Sequence, residues 1–203
     1  AELSARLDTL QARIRPHFLF NSMNTVLSLI DIDSRRAGIV VEDLSALFRA
    51  SLQSAGEVTL YDETVLCRRY LAIEAIRLDG RLHVEWQTPD EDTLRRLKIP
   101  SLTLQPLLEN AVVHGVEPSS RPSLITVLIE YTDREVKIVV TNPIQPAQQI
   151  LPERAATGNQ MALKNIHDRL QAQYGVTARL TTHRTQDFFT AYLSYPFIVV
   201  PLI

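Results

Sequence analysis

The chain has 203 residues, with 21 basic against 23 acidic side chains and a formal net charge of −2. That near balance excludes a bulk electrostatic attraction to nucleic acid. A single cysteine, Cys67, excludes an internal disulfide framework and suits a reducing compartment; no apolar run reaches the roughly 20 residues of a membrane-spanning helix.

The chain opens at Ala1, without an initiator Met and already inside a helical pattern, as expected of a piece of a longer protein. Leu3, Leu7, Leu10 and Ile14 recur at spacings of four and three, a narrow seam suited to helix pairing. A second stripe runs through Val41, Leu44, Phe48 and Leu52. A third runs through Leu66, Tyr70, Ile73 and Arg77, opened by Thr59 to Asp62 as a capping box with Asp in place of Glu. Asp31 to Ser34 supplies turn chemistry between helices, and Ser54-Ala-Gly56 loosens the chain before the third helix. No strand is expected before Leu78.

Asp79-Gly80 marks a turn, and the texture changes. Leu82, Val84 and Trp86 alternate as in a half-buried strand. A helix over about Leu102 to Gly115 follows, then a hairpin of Leu124–Tyr131 and Val136–Thr141 around Thr132–Arg134. Residues 142–158 lack periodicity and read as a long surface loop of the kind that serves as a lid or binding loop. A helix from about Gln160 to Gln173 and two closing strands complete the chain. The second half is therefore an α+β sandwich, helices on one face of a largely antiparallel sheet.

The stretch R-P-H-F-L-F-N-S-M-N, Arg15 to Asn24, places a proline inside a helical pattern. At about 100° per residue, Leu19, Met23, Val26 and Ile30 fall nearly opposite the earlier seam, whose line is taken over by His17, Asn21 and Asn24. Pro16 lacks an N–H and crowds the carbonyl of Ala12, so a kink there would turn both apolar stripes to the core. It would leave His17 pointing outward, one turn below Asn21. Helical geometry alone also admits an ordinary surface histidine, while a metal site lacks a His, Cys or acidic partner at ligand spacing.

LQARIRPHFLFNSMNTVLSLI resembles the phosphoacceptor box P-H-F-L-F-N-x-x-N of the LytS/AlgZ-type sensor histidine kinases. Tyr70-LAIEAIRL resembles the family's Y-L-x-I-E-x-x-R-F segment, KIPSLTLQPLLENAVVHG its nucleotide-binding N-box, and ALKNIHDRL the helix after its glycine-rich lid. Within the family the resemblance leans towards AlgZ. It implies a helical dimerisation and phosphoacceptor hairpin over residues 1–79. A gyrase/histidine-kinase-like (GHKL) ATP-binding α+β sandwich would follow over residues 80–203. By the same resemblance His17 takes the γ-phosphoryl group of ATP, and Asn21 orients a water for the reverse, phosphatase reaction. Glu109 positions the reacting groups, Asn110 ligates Mg²⁺, and His114 approaches the phosphates. The implied partners are a second copy of the chain and a cytoplasmic response regulator of LytR/AlgR type. The implied place is the cytoplasmic side of the inner membrane, with any membrane segment lying outside this chain.

The departures are as specific as the matches. The family's D-x-G-x-G run is here Asn142-Pro-Ile-Gln-Pro146, which keeps an acceptor oxygen at Asn142 and loses both glycines. The G-x-G-x-G-L run retains one glycine, Gly158, and Phe188-Phe189 replaces a Gly-Thr pair. Glycine-rich turns cradle phosphates with inward N–H groups, often at φ > 0. Lys164, Asn165 and Arg169 remain as phosphate contacts or as a solvated helix face. Two functions follow: an ATP-dependent autophosphorylating kinase, or a degenerate kinase acting as a dimeric phosphotransfer, phosphatase or scaffold module with weak or no ATP binding.

Overall fold

A computed structural model describes residues 16–52, 56–145 and 152–197, with side chains from His17 onward and, in the last segment, from Leu163 onward. The seam through Leu3 to Ile14 and the bend at Pro16 lie outside the described residues. Polar side chains set where the helices begin. Helix α1 spans Pro16–Ile30 and α2 spans Ser34–Leu52. Between them Asp33 Oδ1 accepts the Arg36 N–H at 2.9 Å, an N-cap that starts α2. Strand β1 (Glu57–Thr59) leads into α3 (Leu60–Arg77), where the Thr59 hydroxyl accepts from Asp62 N at 3.0 Å. Asp62 and Glu63 in the first turn and Arg77 in the last complement the helix dipole. Asp79 (φ 52°) and Gly80 (φ 72°) then turn the chain, with Gly80 N bonded to Ala75 O at 3.0 Å.

Strand β2 (Leu82–Gln87), helix α4 (Glu91–Arg96), strand β3 (Lys98–Pro100) and helix α5 (Leu104–Ala111) follow. Helix α5 widens into a π-turn over Val112–Val116, closed by Glu117 N on Val112 O at 2.9 Å. Strands β4 (Ser123–Tyr131) and β5 (Glu135–Pro143) form the expected hairpin, with Thr132 Oγ1 accepting from Arg134 N and Glu135 N. Helix α6 covers Pro152–Tyr174, a 3₁₀ turn Gly175–Thr177, and strands β6 (Arg179–Arg184) and β7 (Phe188–Pro196) end the described chain.

The larger sheet has the order β2-β4-β5-β7-β6, parallel only between β2 and β4. Ile125, Val127 and Ile129 of β4 share a buried face with Ile138 and Val140 of β5, paired in register as Val127↔Val140 and Ile129↔Ile138. Each such side chain contributes about 1.5–3 kcal/mol when fully buried; helix α5 and its π-turn pack on β5 and β4, and helix α6 packs on β6 and β7. Helix α3 packs on α1 and α2 on one side and on α4, α5 and β2 on the other, so one apolar cluster runs from Val26 to Tyr195. Cys67 sits inside that cluster as a small core residue, and burial pushes its thiol up.

Four expectations are corrected. A short strand does precede Leu78: β1 pairs antiparallel with β3 as a separate two-stranded sheet, a three-residue element too brief to show alternation. In α2 the buried line is Ala37, Val40, Leu44 and Leu47, while Val41 and Leu52 are exposed. The helix carries two apolar lines, and packing on α3 selects the one beside Asp43, which pairs with Arg69 at 2.8 Å. In α1, Met23 (47%) and Ile30 (48%) are exposed rather than inward. The buried line there is Ser22, Thr25 and Val26; the Ser22 and Thr25 hydroxyls donate to the Phe18 and Asn21 carbonyls at 2.7 and 3.0 Å and so are satisfied within the helix. Finally, residues 142–158 are not one loop. Strand β5 runs to Pro143 and α6 begins at Pro152, a proline in the first turn that costs the helix no hydrogen bond.

Candidate functional site

His17 stands on the exposed side of α1, as expected from its position on the helix. Phe18 turns the other way, its ring 5.1 Å from that of Tyr70 on α3 at a 52° tilt, and this contact fixes the rotation of α1. The Asn21 amide nitrogen lies 3.2 Å from His17 Nδ1 and 3.3 Å from Nε2. The amide thus sits beside the ring edge, one helical turn on, within reach of both ring nitrogens. Below this pair lies Glu74 of α3, 1% exposed, whose carboxylate is gripped by Arg77 Nε at 3.1 Å to both oxygens. Burial pushes the Glu74 carboxyl up; Arg77, and to a smaller extent His17, pull it down.

The second cluster is organised by a residue that sequence reasoning missed. Glu63 of α3 is buried, and its carboxylate accepts from Leu102 N, Thr103 N and Leu104 N at 3.1, 2.9 and 2.9 Å. It caps α5 from another helix, meeting the unpaired N–H groups of the first turn. Burial pushes its carboxyl up against the opposing pull of those N–H groups. Nothing local signals this partner, 40 residues away; the sequence offers Glu63 only as part of its own helix's acidic first turn.

Along the helix so anchored, Asn110 is 2% exposed and its Oδ1 has no hydrogen-bond partner. Glu109 is half-buried and accepts from Gln105 Nε2 at 3.0 Å, and His114 lies half-buried on the π-turn. Gly115 is not the helix-ending cap that its place suggests, since the left-handed glycines among the described residues are Gly80 and Gly175. It is required by proximity: a Cβ there would sit 2.7 Å from Asn142 Cβ. Asn142, 2% exposed at the end of β5, thus packs directly against the N-box helix, and its amide donates to Pro143 O at 2.9 Å. The glycine-free run continues as a packed strap. Ile144 is buried and its N–H bonds to Asp187 O at 2.7 Å, while Gln145 Nε2 donates to Gly115 O at 2.8 Å.

Gly115 and Asn142 are therefore brought together, with Asn110 buried five residues before Gly115 on the same helical run. Gly158 lies within helix α6 rather than in a loop. Lys164 and Asn165 are exposed on the same helix. Arg169 donates to the Leu102 carbonyl at 3.1 Å and to that of Ser101, at the entry to α5. Asn110 fits a hard cation, because an amide oxygen buried without a donor is an available oxygen ligand.

Comparison with known proteins places this arrangement. Residues 5–82 match the family model described as Histidine kinase. The chain is 33% identical over 192 residues to the sensor protein LytS of Oceanobacillus iheyensis, covering 89% of this chain and 32% of the relative. It is 32% identical over 203 residues to the sensor histidine kinase/phosphatase LytS of Staphylococcus aureus (strain MRSA252), covering 95% and 34%. The chain resembles the LytS-type sensor histidine kinases along most of its length. It spans about a third of the length of these LytS relatives. The fold agrees: the solved catalytic domain of histidine kinase ThkA superposes with a TM-score of 0.51 at 15% identity, over 71% of this chain and 98% of that one. The chain therefore combines a helical hairpin with the sandwich fold of that catalytic domain. No described helix is long and apolar enough to cross a membrane.

Proposed function

We propose that this chain is the phosphotransfer and ATP-binding portion of a two-component sensor histidine kinase of the LytS/AlgZ type, autophosphorylated on His17. The observation that carries the reading is the exposed His17 ring, with the Asn21 amide 3.2 Å from Nδ1. A neutral imidazole nitrogen is nucleophilic without a strong base. This matters because Phe18, not an acid, follows the histidine. As the lone pair of the ring nitrogen bonds to the γ-phosphorus of ATP, the bond to the bridging oxygen breaks and its electron pair leaves with ADP. The proton on the other ring nitrogen passes to solvent. Asn21 would swing aside when phosphorus takes its place at the ring nitrogen, and can then hold a water for the reverse, phosphatase direction.

On the second cluster, Asn110 would hold Mg²⁺ through its unpaired Oδ1, with Glu109 and His114 beside it on the same helix. When bound, Mg²⁺ neutralises phosphate charge. Asn142 would accept from the adenine amino group, and Gly158, Lys164, Asn165 and Arg169 border the phosphate side. The phosphoryl group would pass to an aspartate of a LytR/AlgR-like response regulator. Two copies would pair through residues 1–79, residues 80–203 would carry the nucleotide, and the chain would lie on the cytoplasmic side of the inner membrane.

A second reading rests on the packed strap Asn142 to Gln145. Where related kinases have glycines, Ile144 is buried and Gln145 is tied to Gly115 O. This favours a phosphotransfer, phosphatase or scaffold module with weak ATP binding. Labelled ATP with Mg²⁺ separates the two. Acid-labile, base-stable label on wild type, absent in His17→Gln, is the kinase outcome; no label and no calorimetric ATP binding leaves the second reading.

A further inference from the structure

Tyr70, Glu74 and Arg77 stand at i, i+4 and i+7 on α3, one line of the helix. Each meets a different part of the machine. Tyr70 holds the Phe18 ring, immediately after His17. Glu74 is buried beneath it and takes both its oxygens to Arg77 Nε. Arg77 then reaches off the helix, its Nη1 meeting Glu117 Oε1 at 2.8 Å, just past the π-turn that carries His114. One turn on, Arg81 donates to the Ser119 carbonyl and, at 3.4 Å, to that of Val116. The end of α3 is thus tied on one side to the histidine helix and on the other to the nucleotide helix.

We propose that Glu74, Arg77 and Glu117 form a positioning clasp that sets the approach of the His17 helix to the helix carrying Asn110 and His114, with Arg77 as its pivot. The inference rests on the kinase reading above. The guanidinium suits this task because its planar fork holds two carboxylates in fixed directions, which a lysine ammonium does not. Arg77 faces the buried Glu74 carboxylate through its Nε edge, and that contact pins the fork so that Nη1 is directed at Glu117. None of the three touches the reacting atoms; they act through orientation, where a displacement of about 1 Å can cost about 10²-fold in rate.

Glu117→Gln tests this while sparing the buried pair. In the full chain, the rate constant for His17 labelling from saturating ATP should fall about tenfold or more, with calorimetric ATP affinity unchanged. Labelling of His17 by phosphoramidate, a small donor that needs no nucleotide helix, should stay at the wild-type rate. Arg77→Lys, which keeps the charge and loses the fork, should fall likewise if it folds. A Glu117→Gln variant labelled from ATP as fast as wild type overturns the clasp alone. So does an equal loss with phosphoramidate, which would put the defect at His17 itself. Wild type that takes no label from ATP overturns the kinase reading and the clasp with it.

Discussion

Helix α1 holds His17 in the open on a helix whose buried line is two hydroxyl residues and a valine, whereas α5 sinks Asn110 into the core with its oxygen unmet. The first group lies on the surface beside Asn21; the second lies in the core with no donor on its oxygen. In the proposed function the first would move to meet a phosphorus atom, which exposure allows, and the second would wait for an ion that brings its own charge, which burial with an open lone pair allows. The two regions also tolerate change differently. The box at His17 is intact against the family signature, while the run at Asn142 to Gln145 has lost its glycines and become packing.

The largest expected effect breaks the first region without touching the second: His17→Gln abolishes label from ATP while calorimetric nucleotide binding stays. On stability, Glu63→Ala should cost most, about 3 kcal/mol, because three buried N–H groups lose a charged acceptor at once; urea unfolding measures it. Gly115→Ala drives a methyl into Asn142 and should cost about 1–3 kcal/mol. ATP affinity should drop alongside, since the N-box helix and β5 must part. Asn110→Ala sharpens the contrast. Stability should change by less than about 1 kcal/mol, the lost packing being offset by removal of an unsatisfied amide oxygen, yet Mg²⁺-dependent ATP binding should weaken about tenfold, or about 1.4 kcal/mol.

The smallest effect is a pH slope. The Glu63 carboxyl is raised above its ordinary 4.5 in the fold, so between that value and its folded one the native state holds a proton that the unfolded chain releases. Its contribution is full below the unfolded pKa and fades as pH rises through the folded pKa. Glu63→Gln should flatten this part of a stability-against-pH curve; an unchanged slope would assign the shift to another group.

Much of this was legible beforehand in the residues themselves. Thr59 reads as a cap and is one; Thr132–Arg134 reads as a hairpin turn and is one; His17 falls on the outward side by helical period alone. These features depend on neighbours within about one turn. The errors lie where a helix had more than one possible partner. Val41 and Val40 are adjacent and equally apolar, and only packing on α1 and α3 decided which was buried. Gly115 reads as a terminus because glycine usually ends helices, but its reason lies 27 positions on, at Asn142.

Local spacing by itself determined most of the elements and the outward histidine, and the quoted motifs carried the family resemblance, because periodicity, capping and motif order are written over short stretches. The tertiary fold alone decided that Glu63 caps the N-box helix, that Asn110 is left with an open oxygen, and that Arg77 spans two helices. Those are meetings of side chains far apart along the chain. Their energies depend on burial and direction, which exist only once the chain has closed on itself.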